Sequence, residues 1–239
     1  MVSIIYKRFH PSAIIFMKSH FDEYGAVELS QRLFAAINFC GRLTSEKKVE
    51  TGGFLVKTGS GIGQGRALRM VNFVQGEGRE IILEPTEKLE PGEEYMGTVH
   101  CHPLTPVPSI HDVLTFVADP TEKIMIVHGV DGTINLLMKT EETVPLDPLK
   151  IESLKPQYEK SDMAPLVRDY NFAYFQGKGP TLQRAYLPEP IPASKVVALD
   201  DLTLAIQGSP QFPDATKKVP KKAHWCCTWR TLTKVRKSW

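Results

Sequence analysis

The sequence predicts an α/β sandwich, a mixed sheet with flanking helices, and three patterns support this expectation. Apolar residues recur at helical spacing in residues 21–43, and residues 109–119 carry the start and stop signals of a second helix. Short apolar runs that resemble buried strands lie between and after these segments. Their order along the chain is helix, strands, helix, strands, which is typical of a sheet covered by helices.

The first half of this domain contains one helix and three strands. Residues 21–43 predict an amphipathic helix that includes Val27 and ends near Gly41. The runs "ETGGFLVKTG" and "RALRMVNFVQG" predict a β-hairpin across the glycine-rich loop at residues 59–65. A third strand is expected in "YMGTVHCH", where alternation gives one face to Met96, Thr98, His100 and His102.

The second half begins with a capped helix. The segment "SIHDVLTFVAD" predicts a helix with Ser109 as N-cap, ended by Asp119 and Pro120. The runs "KIMIVHGV" and "TINLLMKT" then flank Asp131 and Gly132, a pair that favours a tight hairpin turn. We therefore expect the sandwich to end near residue 147.

Composition divides the chain into four parts. Residues 1–21 are an N-terminal segment, 22–147 the sandwich, 148–214 a Pro-rich and less regular extension, and 215–239 a basic tail. The tail holds eight Lys and Arg and no acid, so it is either a solvated segment or a contact for nucleic acid, an anionic surface or an acidic partner protein. Without a long apolar run, a signal peptide or paired cysteines, we expect a cytoplasmic protein with free thiols that does not enter a membrane.

His100 and His102 suggest a metal site. Two residues apart on a strand, they leave the same face with backbones about 6.5–7 Å apart, so both side chains can reach one ion. The pair alone is weak evidence, because the HxH pattern also arises by chance.

Ser109 and Asp112 have two interpretations. Ser-x-x-Asp matches a capping box, in which both side chains satisfy amides at a helix N-terminus. A carboxylate in this first helical turn, one short loop after the histidine strand, can also turn towards the same ion. Two imidazoles and one carboxylate would leave a fourth tetrahedral position for water, as in catalytic zinc sites.

These segments, "ETGG", then "HCHP" about 50 residues on, then "PSIHD", resemble the motif of the JAMM (MPN-plus) metallopeptidase family over roughly residues 22–147. The resemblance implies a JAMM-like, cytidine-deaminase-like fold and a Zn²⁺ ion bound by His100, His102 and Asp112. It further implies that Glu50 is the general base and that Ser109 donates a hydrogen bond to the tetrahedral intermediate.

One spacing departs from the family. Six residues separate His102 from Ser109, where the common pattern has seven. This leaves His111 open as a rival third ligand, although it points roughly 100° away from Asp112 on a helix.

By resemblance, the expected activity is hydrolysis of a peptide or isopeptide bond at the tail of a ubiquitin-like or small sulfur-carrier protein. The glycine-rich loop is a candidate flap over such a tail. Two alternatives remain: a catalytically silent scaffold of the same fold, and a RadC-like DNA-associated protein, which the basic tail favours.

Overall fold

The computed structural model describes residues 24–58, 67–77, 81, 89–159, 162–186 and 195–202. The N-terminal segment, the glycine-rich loop and the basic tail lie outside these ranges, so the expectations for them stay predictions.

The described residues form helices and strands that alternate along the chain. The helices are α1 (Gln31–Lys47), α2 (Ile110–Ala118), α3 (Ile151–Tyr158) and α4 (Met163–Tyr170), with a short 3₁₀ turn at Pro148–Lys150. The strands are β1 (Ala26–Glu28), β2 (Thr51–Thr58), β3 (Leu68–Gln75), β4 (Glu93–Cys101), β5 (Ile124–His128), β6 (Ile134–Met138), β7 (Ala173–Gly177), β8 (Thr181–Arg184) and β9 (Val196–Ala198). The predicted mixed α/β class is confirmed.

Within the described ranges, the strands form one mixed sheet in the order β3-β2-β4-β5-β6-β7-β8-β1-β9. The pairs β4–β5 and β1–β9 are parallel, and the other neighbours are antiparallel. A parallel step needs a crossover, and α2 supplies it between β4 and β5. This crossover places the start of α2 just beyond the carboxyl end of β4.

Two cores lie on opposite faces of the sheet. Side chains of α1 pack on one face, against residues such as Val99, Ile126 and Leu136. Side chains of α2, α3 and α4 pack on the other face, against residues such as Val127 and Leu137. Neighbouring residues of one strand enter different cores because side chains alternate across a sheet. The predicted sandwich of a sheet between helices is thus present.

The predicted helix at residues 21–43 was wrong at its start. Ala26–Glu28 form β1, which pairs with both β8 and β9, and α1 begins at Gln31 with Ser30 as its N-cap. Val27 fits the helical spacing but is buried in the sheet, because pairing with distant strands outweighs local periodicity. Gly41 lies inside α1, which continues to Lys47.

The two predicted hairpins, β2–β3 and β5–β6, are confirmed, as is α2 from its Ser109 cap to Asp119. The predicted common face of β4 was wrong for Met96. A register shift opposite Leu55 and Val56 inserts one residue, so Met96 joins Val99 in the core beneath α1.

The sheet continues beyond residue 147. Residues 163–184, from the Pro-rich extension, supply α4, β7 and β8, and Tyr174 and Phe175 of β7 are buried on opposite faces. None of the described helices has the length and the apolar composition that a membrane-spanning helix requires.

Candidate metal centre

The end of β4 and the start of α2 bring two imidazoles and a carboxylate together. His102 Nε2 lies 3.3 Å from Asp112 Oδ2, and His100 Nε2 lies 3.7 Å from the same oxygen. One ligand atom from each of the three residues lies within 4.8 Å of the other two. Both histidines are buried, and the carboxylate is 13% exposed. The three side chains are therefore close enough to hold one metal ion.

The α2 capping box fixes the position of Asp112. The Ser109 N–H donates to Asp112 Oδ2 at 2.7 Å, and the Asp112 N–H donates to Ser109 Oγ at 3.1 Å. Asp112 can cap the helix and face the histidines at the same time, because each carboxylate oxygen has two lone pairs. The two interpretations of this motif thus describe one geometry.

The loop after β4 orients the ring of His102. Its Nδ1 lies 3.0 Å from the Val107 carbonyl oxygen and 2.8 Å from Thr105 Oγ1. A carbonyl only accepts, so Nδ1 carries the proton, and in the neutral ring Nε2 keeps its lone pair for a metal. Such an anchor on the second ring nitrogen is usual for metal-binding histidines. The Val107 contact could not be predicted from the sequence, because every residue has a backbone carbonyl and no residue type marks this one.

The charges at this site suit a cation. Burial alone would raise the pKa of Asp112, but His100 and His102 hold it well below its usual range. Burial would likewise lower the pKa of His102, whereas the charges of Asp112 and Glu50 raise it. His100 Nε2 is buried and, within the described part of the chain, has no hydrogen-bond partner. A metal ion would satisfy this orphaned nitrogen, so the donor set fits one.

Glu50 approaches the site from the neighbouring strand. In the β2–β4 pairing Thr51 lies opposite Cys101, which brings Glu50, the residue before β2, close to His102, the residue after β4. The Glu50 carboxylate is near enough to raise the pKa of His102. Gly52 of β2 allows close contact with β4 here, since a Cβ on Gly52 would lie 2.3 Å from the Val99 carbonyl oxygen. All five predicted site residues therefore lie around the start of β2, the end of β4 and the start of α2.

His111, the rival third ligand, turns away from this group. Its Nδ1 lies 4.0 Å from Glu152 Oε1, at the contact between α2 and α3. Burial and then Lys155 lower the pKa of His111. The six-residue spacing before Ser109 thus leaves Asp112, rather than His111, beside the two histidines.

The fold and these side chains define an α/β protein with a candidate His-His-Asp metal centre. No protein-family model matches the chain, and no curated protein is significantly similar to it.

Proposed function

We propose that this protein is a zinc-dependent hydrolase of peptide or isopeptide bonds, with His100, His102 and Asp112 as the metal ligands. The observation that carries the proposal is the convergence of two buried imidazoles on one carboxylate, beside a second carboxylate at Glu50. Catalytic zinc sites use three such ligands and keep a fourth position open. The resemblance of "ETGG", "HCHP" and "PSIHD" to the JAMM motif supports the same reaction.

Zinc bound there would lower the pKa of a water molecule and polarise the scissile carbonyl. Glu50 would take the proton of the attacking water and later deliver it to the leaving amine. Ser109 Oγ accepts the Asp112 N–H, which leaves the Ser109 hydroxyl proton to be donated to the developing oxyanion. Each residue thus has one role that its position permits.

The proposed substrate is the extended C-terminal tail of a ubiquitin-like or small sulfur-carrier protein. This choice rests on the motif resemblance. Such a tail can bind by adding a strand to the edge of a sheet. Among the described strands, β3 is an edge strand of the sheet and is next to β2.

The test combines metal content with hydrolysis. Elemental analysis of protein purified without chelators should find about one zinc per chain, and His100→Ala or His102→Ala should remove it. His111→Ala is the matched control, a partly buried histidine nearby that should leave zinc in place. Tail-fused reporter substrates of both protein classes should be cleaved by the wild type and not by the two zinc-free variants.

Two results would contradict the proposal. A wild-type protein that takes up no zinc excludes the ligand set. Stoichiometric zinc without cleavage of any peptide or isopeptide substrate would instead favour a binding module of the same fold.

A further inference from the structure

The buried side chain of Asn135 lies at the centre of a hydrogen-bond network beneath the metal-site loop, residues 103–108 between His102 and Ser109. Its side chain uses all four of its hydrogen-bonding positions. Nδ2 donates to the Pro106 carbonyl at 2.9 Å and to the Val127 carbonyl at 3.1 Å. Oδ1 accepts from the Tyr174 hydroxyl at 2.6 Å and from Gln176 Nε2 at 3.0 Å. Two carbonyls can only accept, so the partners fix which end of the carboxamide faces the loop.

The loop that receives this hydrogen bond carries the anchor of His102. Pro106 precedes Val107, whose carbonyl accepts from His102 Nδ1. A change in the Pro106 peptide therefore moves the group that sets the tautomer and the orientation of the His102 ring.

The β5–β6 hairpin supports the same loop through its backbone. The Val130 N–H donates to the Thr105 carbonyl at 3.0 Å, and the His102 N–H donates to the His128 carbonyl at 2.9 Å. A Cβ on Gly129 would lie 2.4 Å from the Pro106 carbonyl oxygen, so the hairpin and the loop are in direct contact. Within the described residues, Asn135 provides the side-chain hydrogen bond from the sheet to this loop.

We propose that Asn135 is a positioning residue for the metal centre, acting through Pro106 and Val107 on His102. The inference rests on the proposed function, because it assigns Asn135 to the same zinc site. Asn135 is not one of the proposed ligands; it holds the loop in the shape that directs His102 Nε2 towards Asp112. Loss of such outer-shell support commonly costs about 10- to 100-fold in metal affinity.

The decisive variant is Asn135→Asp, which keeps the side-chain size and the acceptor for Tyr174. It replaces the NH₂ group that donates to the Pro106 and Val127 carbonyls with an oxygen, which cannot donate to them when ionised. Tyr174→Phe is the matched control, because it removes a hydrogen bond from the same carboxamide on the side away from the loop. We expect Asn135→Asp to raise the zinc dissociation constant about 10- to 100-fold in chelator competition. Tyr174→Phe should change the zinc dissociation constant less than about threefold. This should hold even if Tyr174→Phe lowers the melting temperature as much as Asn135→Asp does.

A second readout does not depend on zinc. Long-range ¹H–¹⁵N spectra of the metal-free protein report which ring nitrogen of His102 is protonated. The wild type and Tyr174→Phe should show the Nδ1-protonated tautomer or the doubly protonated ring, and Asn135→Asp should show the Nε2-protonated tautomer in part. If Asn135→Asp fails to fold, Asn135→Ala replaces it in both measurements.

Unchanged zinc affinity together with an unchanged His102 spectrum in a folded Asn135 variant would overturn the positioning role. Equal losses of zinc affinity in Asn135→Asp and Tyr174→Phe would also overturn it, since they would reflect general stability. A wild type that binds no zinc would reject the proposed function, and the His102 spectra would still decide the role of Asn135.

Discussion

His102 Nε2 lies 3.3 Å from Asp112 Oδ2, although one residue follows a strand and the other lies in the first turn of a helix. The Val107 carbonyl keeps the proton of the neutral ring on Nδ1, so the lone pair of Nε2 faces a carboxylate oxygen. Two electron-rich atoms at this distance favour a cation between them, either a proton on Nε2 or a metal ion. Metal binding at this site is therefore expected to compete with protons.

Replacing Glu50 by Gln separates chemistry from metal binding. Gln keeps the size of Glu but cannot accept the proton of the attacking water. We expect stoichiometric zinc, an unchanged fold and a turnover number about 10²- to 10⁴-fold lower. Zinc analysis and kcat on a tail-fused substrate measure this. Glu46→Gln, at an exposed position of α1, is the control and should keep full activity. Comparable activity of Glu50→Gln and wild type would remove Glu50 from the mechanism.

Replacing Asp112 by Asn should weaken zinc binding while α2 persists. Asn removes the anionic ligand, but its side-chain oxygen can still accept the Ser109 N–H that the carboxylate now accepts at 2.7 Å. We expect weaker zinc binding in chelator competition and a loss of unfolding free energy below about 1 kcal/mol. His111→Ala should leave zinc affinity unchanged. The reverse result, zinc lost in His111→Ala and kept in Asp112→Asn, would mean three histidine ligands.

Replacing Gly41 by Ala should destabilise the contact between α1 and β5. A Cβ at this position would lie 2.3 Å from Cε1 of the buried His128 ring, so the ring or the helix must shift. Overpacking typically costs about 1–3 kcal/mol, which should exceed the gain of about 1 kcal/mol in helix propensity. Chemical denaturation measures the net loss. Gly179→Ala, with open space around its Cβ, is the control and should change stability little. Equal stability of the two variants would show that His128 moves aside freely.

The titration of the buried Glu122 carboxyl should lower the unfolding free energy as the pH rises from 5 to 7. Burial and then Asp119 raise the pKa of this carboxyl to about 7 in the folded protein, well above its unfolded value. Between pH 5 and 7 the folded state therefore binds more protons than the unfolded state. The unfolding free energy should fall with pH, by at most about 1.4 kcal/mol per unit.

Urea denaturation of wild type and Glu122→Gln at pH 5, 6 and 7 tests this, since Gln removes the titration. The range stops at pH 7 because Lys139, whose pKa burial lowers to about 8, contributes an opposite slope above that value. Glu152→Gln, with 76% of the Glu152 side chain exposed, is the control and should follow the wild-type curve. Parallel curves for wild type and Glu122→Gln would contradict the raised pKa.

Local patterns in the sequence were sufficient for much of the site. The Ser109 cap predicted the start of α2, because a capping side chain bonds amides within its own first turn. The i, i+2 spacing of His100 and His102 predicted their common face, since alternation is a property of a single strand. The Asp131–Gly132 turn between apolar runs predicted the β5–β6 hairpin, because a tight turn depends on residues that are neighbours in the sequence.

Contacts between distant segments decided the rest. Val27 follows helical spacing but lies in a strand, because β8 and β9 provide partners more than 150 residues along the chain. Glu50 reaches His102 through the β2–β4 pairing, whose register depends on the whole sheet. No local sequence pattern predicted that Asn135 lies beneath the metal-site loop, because its hydrogen-bond partners are distant in the sequence. The sequence by itself determined which residues are suited to bind a metal, whereas the tertiary structure decided which of them meet, since packing and strand pairing act between segments that are far apart along the chain.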